Sequence, residues 1–339
     1  MLKNGNSVTL VDVARAAGVS LKTASRVLND SDELRPETEK LVREAMARLG
    51  YQPNELARGL KSKKSAAIGL IVPNLSDPFS ATAISSIQNV ARAHGYVVIL
   101  ASSGGDAALE KTELQAMTRR QIEGIILSAA SCKKSDLSIP LSSQVPVVVF
   151  DEPVRGAEVD TITVTNRKAA HEATAHLLGH GYRRILAVGA RPSLYTCAER
   201  VAGYRAAMKQ RRALPVELLV PHEQHLTAAA LAPFFEGPRA IDAIFSLNWV
   251  CTIGILRGLL EFGKSIPEDV ALIAFDDFDL AEVVPPGVTV VRQPVSELGN
   301  RAARSLFERI EKKSALAPRK IVLSTELILR GSCGCHPKA

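Results

Sequence analysis

From Ala66 onward the chain alternates short apolar runs with stretches of helical period, and this alternation constrains its fold more than any other feature. The runs Ala67–Val72, Val97–Ala101, Gly124–Leu127, Val147–Phe150, Thr161–Val164, Ile185–Val188, Leu218–Val220, Ala243–Ser246 and Val270–Phe275 have strand length. Between them lie the helical stretches Phe79–Ala93, Ala107–Arg120, Arg167–Leu178, Ala198–Gln210, Leu226–Phe235 and Thr252–Phe262. Strand–helix units repeated in this way predict parallel, doubly wound sheets. Roughly 275 residues of the pattern suit two lobes better than one. Small molecules bind such sheets beyond the carboxyl ends of the strands, and a cleft between lobes is a natural site.

The first 64 residues are different. They hold twelve Lys and Arg against eight Asp and Glu, so +4 of the chain's +7 sits there. A basic segment suits a polyanion such as nucleic acid. Thr9 is a good N-cap, with Asp12 three residues on as an acidic capping box. A helix over Leu10–Ala17 would stop at Gly18, and Ser20 would cap a second over Leu21–Leu28. Two short helices joined by a glycine-containing turn are a helix-turn-helix. Val13, Ala14, Ala17, Val19, Ala24 and Val27 would face inward, leaving Leu21, Lys22, Thr23, Ser25 and Arg26 outward for base edges and phosphates. A third helix begins at Pro36, with Leu41, Ala45 and Leu49 as its stripe and Val42 and Met46 beside it, and ends at Gly50. After it, Tyr51–Lys61 has room for one more short helix, marginal by itself and weakened by Gly59.

With VTLVDVARAAGVSLKTASRVLND and RPETEKLVREAMARLGYQPNELARGLK, Val8–Lys61 resembles the headpiece of the lac repressor (LacI/GalR) family of bacterial transcription regulators. Downstream, IGLIVPNLSDPF, RRQIEGIIL, VVVFDEP, GHGYRRILAVG, ERVAGYRAAM, IPEDVALIAFDD, TVVRQPVSELG and TELILRGS resemble, in order, that family's two-lobed effector domain, itself similar to periplasmic sugar-binding proteins. The resemblance implies a helix-turn-helix headpiece over 1–52, a hinge helix and linker over 53–64, and an effector-binding and dimerisation domain over 65–339. Lobe one would comprise about 65–164 plus 294–320, and lobe two 165–293 plus 321–339.

The resemblance further implies a homodimer on a pseudo-palindromic double-stranded DNA operator. The second helix would enter the major groove, and paired hinge helices would wedge Leu60 into the minor groove. The implied DNA-binding residues are Thr9, Ser20, Leu21, Lys22, Thr23, Ser25, Arg26, Asn29, Tyr51, Asn54, Ala57, Arg58, Leu60 and Lys61. The implied effector residues are Phe79, Ser80, Asp151, Thr196, Arg200, Asn248, Trp249, Asp277 and Gln293. Trp249 departs from the family, which commonly carries an aspartate there. Losing that carboxylate near Arg200 points to an acidic sugar, a sugar phosphate or another small organic acid rather than a neutral sugar. The implied function is a repressor whose operator affinity is set by a sugar, sugar acid or related metabolite.

Other chemistry is not expected. There is no GxGxxG fingerprint and no GxSxG nucleophile motif, so neither cofactor nor catalysis is predicted. His171-Glu172 and His176 stand at i and i+5, the wrong spacing for a zinc protease box. His176 and His180 are at i and i+4, but Gly179 lies between them; Cys333-Gly334-Cys335 lacks a second pair and reads as a loose tail. No metal is therefore expected. MLKNGNSVTL has no apolar export core, and the five cysteines are mostly scattered, which points to the cytoplasm. A sugar-binding transport protein or a sugar-modifying enzyme are the alternatives. The helix-turn-helix opposes the first, and the lack of a nucleophile, metal or cofactor constellation opposes the second.

Overall fold

Thr9 and Asp12 start the first helix by bonding each other's backbone. The Asp12 amide donates to Thr9 Oγ1 at 3.4 Å, and the Thr9 amide donates to Asp12 Oδ2 at 3.0 Å. The computed structural model describes residues 8–28, 35–51, 65–132, 136–222, 226–312 and 317–335, in two compact units, Met1–Ser65 and Ala66–Ala339. In the first unit, α1 (Leu10–Ala16) ends before Gly18, whose φ of +68° makes the turn. Ser20 Oγ then accepts the Thr23 amide at 3.1 Å and opens α2 (Leu21–Leu28). Helix α3 (Pro36–Leu49) starts on Pro36 and stops at Gly50, φ +64°. Val13, Ala14, Ala24, Val27, Val42 and Ala45 form the buried centre. Leu41 does not join it and is 53% exposed. The inward stripe of α3 is Val42, Ala45, Met46 and Leu49, and a residue one step before Val42 lies about 100° round the helix.

The second unit contains two six-stranded sheets. Lobe one holds β1 (Ala67–Val72), β2 (Val97–Ser102), β3 (Ile125–Leu127), β4 (Val147–Phe150) and β5 (Asp160–Val164), and the chain later returns to add β11 (Lys320–Leu323), giving the order β11-β5-β4-β3-β1-β2. Lobe two holds β6 (Ile185–Ala190), β7 (Val216–Val220), β8 (Ala243–Ser246), β9 (Ala271–Phe275), β10 (Thr289–Arg292) and β12 (Glu326–Ile328), in the order β12-β10-β9-β8-β6-β7. All pairings are parallel except β10 with β12. Every residue of β1, β4, β6, β8 and β9 is buried, as parallel strands covered on both faces require.

The chain crosses between the lobes three times. The third crossing follows Leu323, not residue 320 as expected, because Ile321–Leu323 pair with Ile162–Val164 of lobe one. Two of the crossings are tied together, with Thr165 Oγ1 3.1 Å from Thr325 Oγ1. The expected helix at Leu226–Phe235 is only Ala228–Leu231 plus a 3₁₀ turn, Ala232–Phe234. Pro233, with no N–H to donate, ends the α-helical bonding there.

Helices α4 (Pro78–Ala93), α5 (Ala107–Arg119), α6 (Ser138–Ser142) and α11 (Val295–Lys312) belong to lobe one. Helices α7 (Asn166–Gly179), α8 (Tyr195–Gln210), α9 (Ala228–Leu231) and α10 (Trp249–Glu261) belong to lobe two. Asp160, fully buried at the start of β5, draws two arginines to itself: Arg309 of α11 at 2.6 Å and Arg319, just before β11, at 2.9 Å. That carboxylate thus anchors to lobe one, at two points, the stretch of chain that comes back from lobe two.

Candidate nucleic-acid interface and effector cleft

On α2 the buried residues are Ala24 and Val27, and Lys22 lies on the opposite side of the helix. Leu21, Lys22 and Arg26 are exposed, while Thr23 and Ser25 are half-buried at the margins. Thr9 and Ser20 are exposed caps at the amino ends of α1 and α2, and Tyr51 is half-buried after α3. Helix amino ends carry unpaired N–H groups that suit phosphate. Asn29, Asn54, Ala57, Arg58, Leu60 and Lys61 lie outside the described residues.

The cleft is organised around Arg200, on α8 and 4% exposed. Its Nε donates to Asn166 Oδ1 at 2.8 Å and its Nη1 to the Leu247 carbonyl at 2.6 Å, and the guanidinium lies 3.6 Å from the centre of the Phe275 ring. Its ion-pair partner is Asp276, 4.0 Å away at the end of β9. Asp276 Oδ2 accepts the Trp249 amide at 3.1 Å, and Oδ1 accepts Gln293 Nε2 at 2.5 Å. Asp276, which the sequence reading passed over as a site residue, therefore stands where Asp277 was expected. Asp277 turns away to Arg292 at 2.6 Å and Arg330 at 3.1 Å, because Asp276 at φ +76° reverses the strand end and sends its neighbour outward.

Lobe one supplies a second acidic group. Asp151 follows β4 at φ +62°. Burial pushes its carboxyl well above the usual range, and Glu152, Asp276 and Asp77 add to this while Arg200 opposes. Glu152, also missed in the sequence, is 3% exposed and reaches lobe two. It accepts the Tyr195 amide at 2.9 Å and the Thr196 hydroxyl, at the amino end of α8. Burial raises Glu152 to about 7 against the pull of Thr196, Arg200 and those amides. Two further contacts join the lobes, Arg191 to the Gly105 carbonyl at 3.3 Å and the Cys132 thiol to the Ser193 carbonyl at 2.9 Å.

The remaining expected residues divide. Thr196, Trp249 and Gln293 belong to this cluster. Asn248 uses its side chain to cap α10, accepting the Cys251 amide at 2.8 Å. Phe79 and Ser80 sit on the first turn of α4, beyond the end of β1. Among the described residues, the buried side-chain nitrogens and oxygens without a hydrogen-bond partner are Trp249 Nε1 and Gln293 Oε1. Both belong to residues that bond Asp276. A buried donor and acceptor left unmatched cost free energy that a hydroxylated ligand would recover.

The loss of an acid at Trp249 does not leave the cleft without carboxyl groups. Asp276 is itself bonded to the Trp249 amide, and Asp151 and Glu152 accompany it. One motif also escaped the sequence reading. Gly258–Ser265 spells GLLEFGKS, a phosphate-loop pattern. It runs off the carboxyl end of α10 instead of lying between a strand and a following helix, so its amides form no phosphate cradle.

Comparison with known proteins fits both units. Residues 9–54 match the model of bacterial regulatory proteins of the lacI family. Residues 65–328 match periplasmic binding proteins and the sugar-binding domain of the LacI family. The chain belongs to the LacI family. This is a family of transcription regulators, and the chain carries both its DNA-binding and its effector-binding parts. It is 35% identical over 330 residues to the HTH-type transcriptional regulator PtxS of Pseudomonas putida, covering 96% of each chain. Among solved structures, the lac repressor dimer bound to operator and an anti-inducer shares the fold, with TM-score 0.85, 21% identity and coverage of 97% and 99%. The transcriptional regulator CelR in complex with cellobiose is 28% identical, with TM-score 0.69 and coverage of 96% and 99%. No described helix is long and apolar enough to cross a membrane.

Proposed function

We propose that this LacI-family chain acts as a cytoplasmic homodimeric repressor, reading a pseudo-palindromic operator through α2 and through a hinge at 53–64, with its affinity set by a sugar in the cleft. The observation that carries the effector reading is the Arg200–Asp276 pair with the unmatched Trp249 Nε1 and Gln293 Oε1 beside it. A carboxylate and a guanidinium in one site can bond sugar hydroxyls as acceptor and donor. The indole offers an apolar face for sugar C–H groups. Arg200 is already ion-paired with Asp276 and set beside Asp151 and Glu152, so it has little unmatched positive charge to offer an anion, which favours a neutral polyhydroxylated ligand over the acidic sugar expected from sequence. CelR, whose solved complex holds cellobiose, supports a neutral sugar. The cleft's buried acids are engaged by arginine, amides and a hydroxyl, which supports binding without catalysis.

The coupling is thermodynamic. A sugar shifts operator affinity only by its differential affinity for the DNA-competent and incompetent states. Calorimetry on the full-length chain with matched pairs, a sugar and its aldonic acid, tests the reading. Tighter binding of the neutral member, lost in Arg200→Ala, is expected; preference for the acid would overturn it. Gel shifts on genomic fragments, with and without the bound sugar, test the regulatory half.

A further inference from the structure

Four metal-ligating side chains converge far from the cleft, where α7 ends against the chain's carboxyl-terminal turn. His176 and His180 lie one turn apart on α7 and its cap, so their rings share a face, with centres 4.6 Å apart. The turn Gly331–Cys333 is not a loose tail. Ser332 Oγ donates to the Leu272 carbonyl at 2.6 Å and accepts the Thr289 amide at 2.8 Å, and Cys333 is fully buried. Gly334 then turns the chain at φ +84°, where a side chain would also press on the Tyr182 hydroxyl. Cys335 is thereby folded back over the two imidazoles.

The donor atoms sit close together. His176 Nε2 is 3.4 Å from Cys333 Sγ and 3.4 Å from Cys335 Sγ, and Cys335 Sγ is 3.2 Å from His180 Nε2. Zinc bonds sulfur at about 2.3 Å and imidazole nitrogen at about 2.05 Å, so a tetrahedral site has N···S edges of about 3.5 Å. The three N···S edges observed fall within about 0.3 Å of that. One donor atom from each of His176, His180 and Cys335 lies within 4.8 Å of the others, while Cys333 Sγ is outside that set and meets the histidines through His176 alone. Thr289 Oγ1, 3.1 Å from Cys333 Sγ, is placed to steady that sulfur as an outer hydrogen-bond donor.

We propose that His176, His180, Cys333 and Cys335 bind one zinc ion in a closed Cys₂His₂ site that staples the carboxyl-terminal turn to α7. Two imidazoles and two sulfurs suit zinc over magnesium or calcium, which prefer oxygen. The three clustered donors form the core of the site, and a small shift of Cys333 Sγ from beside His176 supplies the fourth ligand; four protein ligands leave no open position, so the ion is structural. Binding releases one proton from each thiol, and the two thiolates balance the dication. The second cysteine pair that the sequence seemed to lack is supplied by two histidines more than 150 residues upstream.

The test uses the full-length chain, with any tag removed and its thiols reduced. After exposure to zinc and desalting, elemental analysis is expected to show one zinc per chain. Cobalt in its place is expected to give a sulfur-to-metal charge-transfer band and the visible bands of a tetrahedral site. Cys335→Ser and His180→Gln alter the two more accessible ligands and leave buried Cys333 in place. Loss of an outer-shell partner costs about 10- to 100-fold in metal affinity, so loss of a ligand should cost at least about 100-fold. His171→Gln, on the same helix but bonded to Gln210, is expected to keep full zinc content. Wild-type chain that takes up no zinc, cobalt spectra without thiolate bands, or ligand variants that retain zinc would each overturn the site. So would a Cys333–Cys335 disulfide that persists in the reduced protein.

Discussion

Asp151 and Asp276 occupy the same place in the two lobes. Each follows a Phe at the end of a buried parallel strand, Phe150 in β4 and Phe275 in β9. Each has positive φ, +62° and +76°, and each donates its amide to the adjoining strand, to the Ile162 and Val291 carbonyls respectively. Non-glycine residues adopt this backbone at a cost, and the cost recurs at the carboxyl end of one strand in each lobe, where ligands of such sheets bind. The pseudo-symmetry of the lobes thus presents two carboxylates to one arginine, Arg200.

The pair Asp276 and Asp277 separates binding from stability. Asp276→Asn keeps an acceptor for Trp249 but removes the charge beside Arg200, and is expected to weaken sugar binding by about 1.5–3 kcal/mol, roughly ten- to a hundredfold. Asp277→Asn should leave binding near wild type. It is expected to lower stability by about 1–3 kcal/mol through lost bonds to Arg292 and Arg330. Calorimetry and thermal unfolding of both variants check this, and the reverse pattern would return the ligand role to Asp277.

Much of this was legible because it is local. Caps at Thr9 and Ser20, the turn at Gly18 and the apolar strands depend on neighbours in sequence. The choice between Asp276 and Asp277 was not legible, since it hangs on one backbone dihedral at a strand end. Glu152 was hidden because its partners, Tyr195 and Thr196, belong to the other lobe. Cys333 and Cys335 read as a tail for the same reason, their neighbours His176 and His180 being brought up only by the packing of lobe two. Pro233 was in plain view, and should have shortened the helix drawn through it.

Arg26 tests the headpiece. It lies on the exposed side of α2, away from Ala24 and Val27. Arg26→Ala is expected to cost about 1–3 kcal/mol on operator DNA and to relax preference at one base position in each half-site. Binding measured across single-base operator variants checks this. An equal loss on unrelated DNA would reduce Arg26 to a phosphate contact. Footprints should show an inverted repeat, as a twofold dimer requires.

Asp160 tests what holds the returning chain to lobe one. The two arginine partners outweigh its burial and hold its carboxyl down at about 2. A depressed acid adds stability above its ordinary value near 3.8 and loses it as pH falls toward about 2. Asp160→Asn leaves both arginines without their buried counter-charge and is expected to cost about 3–5 kcal/mol. Urea unfolding at pH 7 measures the loss. Between pH 4 and pH 2 the wild type should lose part of its advantage over the variant, and a constant difference would argue against the ionic role.

Glu152 tests the link between the lobes. It belongs to lobe one, yet its carboxyl group meets the amino end of α8 in lobe two, so its environment depends on the lobes being together. In that position burial raises it from about 4.5 to about 7. The sign follows from linkage. The closed form holds the proton more tightly than a solvated carboxyl does, so closure is unpenalised below about pH 4.5 and is progressively disfavoured as pH rises through about 7. Asp151, raised by burial and by its acidic neighbours, pushes in the same direction. A sugar that binds the closed cleft should therefore bind more tightly at pH 5.5 than at pH 8. Glu152→Gln keeps an acceptor for the Tyr195 amide but cannot ionise, so it should flatten most of this slope. Calorimetric titrations of wild type and variant across that range decide the matter. An affinity that rises with pH in the wild type, or an unchanged slope in the variant, would remove Glu152 from control of closure.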